Sequence, residues 1–216
     1  MLWNIFFFLL ILDTIMEDRY LTVSRLSTAK LVEKKSVFYA FAIPVFSEEE
    51  IEQMLRVYRK KYYDARHVCY AYSLRADKSL FRFSDNGEPS GTAGRPIMNV
   101  IQAGNLTNIL IIIVRYFGGI KLGTSGLISA YKEASELVVS NAEIIERTED
   151  ISFQFSFDYG QMNMVMSAVK SLRLVVEDSQ FSMQCFIKVR GPKSIVSLLK
   201  EKLENKVCLI KKKDNP

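Results

Sequence analysis

A run of ten residues, "NILIIIVRYF" (108–117), is the most restrictive feature of the sequence, because it is too apolar to face water on either side. Such a run is typical of a central strand that is buried on both faces of a sheet. Other strands are predicted before it. "AKLVEKKSVFYAFAIPV" indicates two short strands around the turn at Lys34 and Lys35, and "RHVCYAYSL" alternates before pairing back with "LFRFS".

Helices are predicted between and after these strands. Ser47 and Glu50 form a capping box for the first helix, whose apolar residues then recur at helical spacing. A second helix begins near Pro96, which suits a first helical turn. A third is predicted from about Thr124 to Glu146, with Ile145 turned inward.

Residues 16–147 are therefore expected to form one α+β domain, and the pattern changes after it. From Ile151 to Phe157 apolar and polar residues alternate strictly, and a helical pattern follows from Met162. The next segment predicts a hairpin with one apolar face. That face is formed by Phe181, Met183, Cys185, Ile187 and Val189. A last helix and the strand "KVCLIK" complete the order β-α-β-β-α-β, a ferredoxin-like domain over residues 151–213.

The composition favours an ordinary folded protein, with 49% hydrophobic and 25% charged residues. The cysteines Cys69, Cys185 and Cys208 form no C-x-x-C pair, which excludes zinc ribbons and redox dithiols. We therefore expect a reducing compartment, the cytoplasm, and neither a metal site nor a cofactor. The formal net charge of +5 permits an anionic partner without requiring one.

The first segment, "MLWNIFFFLLIL", contains only eight consecutive apolar residues, from Ile5 to Leu12. A membrane span needs about 20, so no membrane partner is expected. No basic residue precedes the run and no small-x-small cleavage site follows it, which argues against a signal peptide. The interpretation is that translation begins at Met16 and that residues 1–15 are an extension that is mis-called or disordered. The intact mass of the native protein tests it.

Two glycine-rich loops, "SDNGEPSGTAGRP" (84–96) and "RYFGGIKLGTSGL" (115–127), each join a strand to the amino end of a helix. Free amides and the helix dipole favour an anion there. Neither P-loop nor Rossmann spacing is present. The candidate anion-binding or nucleic-acid-binding residues are Gly87, Thr92, Gly94, Arg115, Gly118, Gly119, Lys121, Gly123 and Gly126. Alternatively, the glycines serve only left-handed turns and tight packing.

One compact set of residues is suited to acid–base chemistry: His67, Asp85 and Glu88. A histidine beside a carboxylate can act as a general base. The structural alternative is that the two carboxylates cap loop amides and that His67 bonds to one of them. No nucleophile completes a triad, and Cys69 is interpreted as a packing residue. An enzyme acting on a small anionic substrate therefore stays open as an alternative.

The two glycine loops, preceded by "ARHVCYAY" (65–72), resemble the signature of the YigZ/Impact family over about residues 20–213. The resemblance implies a first domain similar to ribosomal protein S five domain 2 and to the fourth domain of the translocating elongation factor. It implies a ferredoxin-like second domain similar to the fifth domain of that factor. Basic residues common in the family are replaced here by Val37 and Ser129.

The resemblance also carries functional expectations. Eukaryotic Impact proteins regulate translation by binding an activator of an amino-acid-starvation kinase, through an additional domain. For bacterial members, the likeness to elongation-factor domains implies RNA or the ribosome as the partner, and it implies no reaction. The leading hypothesis is therefore a translation-associated regulator that binds RNA or the ribosome through its glycine loops. A protein-interaction regulator whose loops are purely structural is the further alternative.

Overall fold

The computed structural model describes residues 18–204, which form two compact units. Residues 20–147 form the first unit, and residues 148–204 with 18 and 19 form the second. The expected start at Met16, the extension 1–15 and the predicted last strand, 206–211, lie outside the described residues.

An antiparallel five-stranded sheet organises the first unit, in the order β2-β3-β6-β4-β5. The strands are β2 (Ser27–Glu33), β3 (Ser36–Pro44), β4 (His67–Leu74), β5 (Leu80–Ser84) and β6 (Ile109–Tyr116). The predicted central strand is confirmed, because β6 lies in the middle and seven of its eight residues are buried. A separate pair joins β1 (Arg19–Val23) to β7 (Ile144–Thr148).

Helices cover both faces of this sheet. The helix α1 (Glu48–Lys61) packs against one face, which presents alternate β6 residues such as Leu110 and Ile112. The helices α2 (Gly94–Ala103) and α3 (Gly123–Ser140) pack against the other face. A strand buried on both sides needs apolar residues at every position, which is why β6 does not alternate.

The amino end of α1 differs slightly from the predicted capping box. The hydroxyl of Ser47 accepts a hydrogen bond from the Glu50 amide at 3.2 Å, as expected. The Glu50 carboxylate, however, accepts from the amide of Phe46 at 2.8 Å, one residue before the cap. Two amides near the helix start are still satisfied, so the stabilising effect of the motif is preserved.

The predicted end of α3 at Glu146 is wrong. The helix ends at Ser140, and a turn follows in which the Ala142 amide donates to the Val139 carbonyl at 3.0 Å. The strand β7 then begins, so Ile145 lies in a strand instead of on a helix face. The β-branched residues there suit the pairing with β1, which outweighs the continued helical spacing.

The second unit has the strand order of a ferredoxin-like domain through its last helix. It comprises β8 (Asp150–Asp158), α4 (Met162–Ser171), β9 (Val175–Gln180), β10 (Gln184–Pro192) and α5 (Lys193–Glu204). The sheet order is β8-β10-β9, with β10 between the other two. Its core is formed by the inward residues of β8 and β10, including Phe155, Phe157 and Ile187, against both helices. The α+β fold class is confirmed.

One predicted apolar face is shorter than expected. Cys185, Ile187 and Val189 are buried, but Phe181 and Met183 are 52% and 93% exposed. Both precede β10, in the turn that follows β9, where the alternation of a strand no longer orients side chains.

Across residues 18–204, none of the helices combines the length and the apolar composition needed to cross a membrane.

Candidate functional site

The first glycine loop, between β5 and α2, is closed around an internal acid. The Oδ1 atom of Asp85 accepts hydrogen bonds from the amides of Ala93 at 2.9 Å and Gly94 at 2.8 Å. Its Oδ2 atom accepts from the amide of Gly91 at 2.8 Å. Asp85 therefore occupies the amino end of α2 in the way that a bound anion would, as the capping alternative expects.

Two of the three glycine and threonine ligands predicted in this loop, Thr92 and Gly94, face the protein. The Thr92 hydroxyl donates to the carbonyl of Pro89 at 2.7 Å, and Thr92 is buried. A Cβ at Gly94 would lie 2.7 Å from the backbone nitrogen of Ser84, so this glycine permits close packing of the helix on β5. The third predicted ligand of this loop, Gly87, is exposed. The expectation that this loop cradles an external anion through Thr92 and Gly94 thus needs correction.

Substitution of Asp85 by alanine is expected to destabilise the start of α2 by about 2 kcal/mol, the upper range for loss of a helix cap. Three amides would lose their acceptor. Hydrogen exchange at Gly91, Ala93 and Gly94 measures the effect and should become faster. Added formate should slow it again by replacing the carboxylate. Unchanged exchange at these amides would contradict the capping role.

Arg115, predicted to attract an external anion, is instead buried at the end of β6. It is 6% exposed, and its Nη1 atom lies 2.7 Å from Oε1 of Glu88, which is 8% exposed. The guanidinium also lies near the rings of Phe38 and Phe117, with its carbon 5.5 and 5.7 Å from their centroids. Within residues 18–204 its Nε atom has no hydrogen-bond partner. The charge of Arg115 is neutralised inside the unit, which corrects the prediction.

A chain of polar groups continues from this ion pair into the core. The Tyr131 hydroxyl donates to Oε1 of Glu88 at 2.9 Å, and the Sγ atom of Cys69 lies 3.3 Å from that hydroxyl. Burial raises the pKa of the Cys69 thiol to about 12, and burial likewise raises the pKa of Tyr131. Both groups therefore stay neutral at physiological pH. Cys69 is a packing residue with an inactive thiol.

His67 is not joined to either carboxylate of the acid–base set. Its Nδ1 atom lies 3.0 Å from the carbonyl oxygen of Asn86. Among residues 18–204, Asp85 is engaged by three amides, and Glu88 is engaged by Arg115 and Tyr131. Both carboxylates are therefore bound by groups of the protein itself. The described part of the chain also contains no group of three or more histidine, cysteine or acidic residues that could bind a metal.

The second glycine loop, between β6 and α3, is built differently. Gly118 lies against the turn between β2 and β3, because a Cβ there would lie 2.0 Å from the carbonyl carbon of Lys35. The Gly118 amide donates to the Ser36 hydroxyl at 3.3 Å, and Nη2 of Arg115 lies 3.4 Å from the same oxygen. Ser36 therefore connects the buried ion pair to the loop at the surface.

Beyond Gly118 this loop is open. Gly119 and Gly123 adopt positive φ angles of 85° and 73°. Apart from their chain neighbours and, for Gly123, the nearby backbone of its own helix, no atom of residues 18–204 lies within 4 Å of the place where their Cβ atoms would stand. Leu122 occupies the cap position of α3, and its side chain makes no capping hydrogen bond. Gly126 contributes close packing instead, because a Cβ there would lie 3.2 Å from the Cβ of Leu122. An external anion can therefore approach the start of α3.

Three exposed lysines lie in the two segments that meet here, and we call them the lysine edge: Lys34, Lys35 and Lys121. The first two form the turn between β2 and β3, each with a positive φ angle. Sequence reasoning identified Lys121 and missed the other two as site residues. The sequence does contain the signal for them, because two lysines in a turn between strands are expected to direct both charges to solvent.

Comparison with known proteins agrees with the resemblance inferred from the glycine loops. Residues 34–139 match the Impact N-terminal domain. The chain is 34% identical to "IMPACT family member in pol 5'region" of Thermus thermophilus over 146 residues, which is 68% of this chain and 78% of that protein. It is 29% identical to IMPACT family member YvyE of Bacillus subtilis, over 76% of this chain and 75% of the relative.

A solved structure has the same fold. The crystal structure of a hypothetical protein superposes with a TM-score of 0.66 at 24% identity, and covers 92% of this chain and 99% of its own. The family is assigned by the sequence match to the Thermus thermophilus relative, which is 34% identical over more than two thirds of both chains. The chain belongs to the IMPACT family.

Proposed function

We propose that this protein is a translation-associated regulator that binds RNA, free or in the ribosome, through the lysine edge of its first unit. The observation that carries the proposal is the arrangement at the second loop. The loop exposes backbone at Gly119 and Gly123, adjoins the turn of Lys34 and Lys35, and carries Lys121 itself. Family membership adds support, since the eukaryotic members resembled here regulate translation.

Phosphate is the group that this arrangement suits. Unpaired amides at the start of a helix and nearby ammonium groups both favour an anion with several acceptor oxygens. The lysines of the β2–β3 turn supply two exposed positive charges beside this loop, although Val37 and Ser129 replace basic residues that are common in the family. The first loop contributes structure rather than contacts, because Asp85 already holds its amides.

Apolar groups at the same loop favour a single strand with accessible bases. Phe117 and Ile120, on either side of the Gly118–Gly119 pair, are exposed. Proteins that bind single strands combine a cationic track with aromatic side chains on which bases stack. The acid–base alternative is not favoured, since the carboxylates of Asp85 and Glu88 are engaged within the protein.

The test is fluorescence anisotropy of a labelled single-stranded RNA over a series of salt concentrations. Affinity should fall steeply with salt, and alanine at Lys34, Lys35 or Lys121 should flatten the slope by about 0.7 each, the value for one single-strand phosphate contact. Lys132→Ala is the matched control, because Lys132 lies on the exposed side of α3 in an ion pair with Glu136.

The outcomes separate the proposal from its alternatives. Equal slopes for Lys121→Ala and Lys132→Ala would show that phosphate contacts lie elsewhere. Absence of salt-dependent RNA binding would instead favour the protein-interaction regulator, with glycine loops that are purely structural.

A further inference from the structure

The opposite face of the five-stranded sheet carries a cleft that the proposed function does not use. The helix α1 lies over β3, where the ring of Tyr58 is 4.7 Å from that of Phe41 between centroids. A cleft of about 300 Å³ opens between α1 and the strands β4 and β5. We call it the tyrosine cleft, and the residues used below are Ile51, Leu55, Arg59, Tyr70, Tyr72 and Arg82.

The interior of the tyrosine cleft is apolar and aromatic. Ile51 and Leu55 of α1 are buried along it. Tyr70 and Tyr72 project from the same face of β4. Their rings are nearly parallel, with an angle of 3° between the ring planes and 6.4 Å between the centroids. Tyr72 is buried and Tyr70 is half-buried. The two rings are stacked on each other and form an aromatic wall of the cleft, on which a planar group can pack.

The acidic residues at the tyrosine cleft are already paired. Glu48 accepts a hydrogen bond from the Tyr72 hydroxyl at 2.9 Å. Burial, and then this bond, raise the pKa of Tyr72 to about 12, so the hydroxyl stays neutral. Glu52 lies 3.8 Å from Arg56 on the exposed side of α1. Glu52 is therefore paired with a cation, whereas Glu48 keeps its negative charge, and the three arginines and two glutamates that line the cleft leave it a formal charge of +1.

Two guanidinium groups at the cleft have no acidic partner within residues 18–204. Arg59 lies in the last turn of α1, and Arg82 lies directly opposite Tyr72 in the register of β4 and β5. Opposite residues of paired strands project from the same face, so Arg82 borders the aromatic wall. Among residues 18–204 no carboxylate pairs with either group. Guanidinium groups bind phosphate and carboxylate through paired hydrogen bonds.

We propose that the tyrosine cleft binds a free nucleoside monophosphate, with the base against Tyr70 and the phosphate between Arg59 and Arg82. The cleft volume lies at the lower end of the range for small-molecule sites, about 300–1,000 Å³. That size suits one nucleotide unit. The ligand needs both parts, since the apolar wall selects a planar ring and the unpaired cations select an anion.

Isothermal titration calorimetry on the full chain tests the proposal with AMP and UMP as probes. Both should bind at a single site, and adenosine and ribose 5-phosphate should bind at least about tenfold more weakly, because each lacks one of the two recognised groups. Arg59→Gln and Arg82→Gln should each weaken AMP binding by about tenfold, as expected for a lost charge-assisted hydrogen bond.

The control variants separate this site from the lysine edge. Arg25→Gln removes an exposed guanidinium outside the cleft and should leave AMP binding unchanged. Lys121→Ala should also leave it unchanged, whatever its effect on RNA. Tyr70→Leu should reduce the preference for AMP over ribose 5-phosphate. Ribose 5-phosphate binding as tightly as AMP, no saturable binding of either nucleotide, or full AMP affinity in Arg82→Gln would each overturn the proposal.

Discussion

Replacement of Arg115 by methionine is expected to lower the free energy of unfolding of the first unit by about 3–5 kcal/mol, the usual cost of removing one partner of a buried ion pair. The Glu88 carboxylate would keep its contact with the Tyr131 hydroxyl at 2.9 Å but would lose its counter-charge inside the protein. Hydrogen exchange of the β6 amides measures the loss, because those amides report on the central strand of this unit.

A matched control uses an exposed ion pair of the same unit. Lys132 lies 3.6 Å from Glu136 one helical turn away, and both side chains are more than half exposed. Lys132→Met should cost only about 0.5 kcal/mol, since solvent screens such pairs. The double variant Arg115→Met with Glu88→Leu should recover much of the loss, because it buries no unpaired charge. Equal costs for Arg115→Met and Lys132→Met would disprove the buried role.

The second large effect is expected at Gly118. An alanine there would place its Cβ 2.0 Å from the carbonyl carbon of Lys35 and 2.4 Å from the Ser36 nitrogen. These are backbone atoms, so no side-chain rotation relieves the overlap, and the β2–β3 turn must move. We expect a loss of at least about 3 kcal/mol, the upper range for overpacking. The free energy of unfolding and the exchange of the β3 amides measure it.

Two other glycines calibrate this result. Gly119→Ala meets no atom of residues 18–204 within 4 Å but retains a φ angle of 85°, so it should cost about 1–2 kcal/mol of backbone strain. Gly160, in the turn between β8 and α4, has neither a close neighbour among those residues nor a positive φ angle, so Gly160→Ala should be close to neutral. A Gly118→Ala variant no less stable than Gly119→Ala would be inconsistent with the packing described.

Much of the fold follows from patterns whose physical cause is local. The apolar residues of β6 have no solvated face to alternate with, so a central strand is the arrangement that buries them all. The strict alternation from Ile151 to Phe157 likewise indicates a strand with one dry face. Failures occur where helical spacing continues past a turn, as at Ile145, because spacing alone does not show where a chain reverses.

The site was less predictable because its electrostatics depend on long-range pairing. Arg115 adjoins a glycine loop in sequence, which suggests an open cation. Its partner Glu88 precedes it by 27 residues, and nothing in the spacing reveals that the two meet. Similarly, the sequence suggests that the amides of the first loop are free to bind an anion, whereas in the structure they donate to Asp85. The exposure of Lys34 and Lys35, by contrast, can be predicted from the sequence, because both residues lie in the turn between two predicted strands.

Ser36 has a consequence for how this protein can vary. Its hydroxyl oxygen accepts hydrogen bonds both from the buried guanidinium of Arg115 and from the Gly118 amide in the second glycine loop. A substitution in the interior can therefore alter the shape that a partner meets, without changing any residue that the partner touches. Substitutions at Arg115 and at Gly118 should therefore depend on each other. A change at one of these positions should be tolerated better when the other position changes with it.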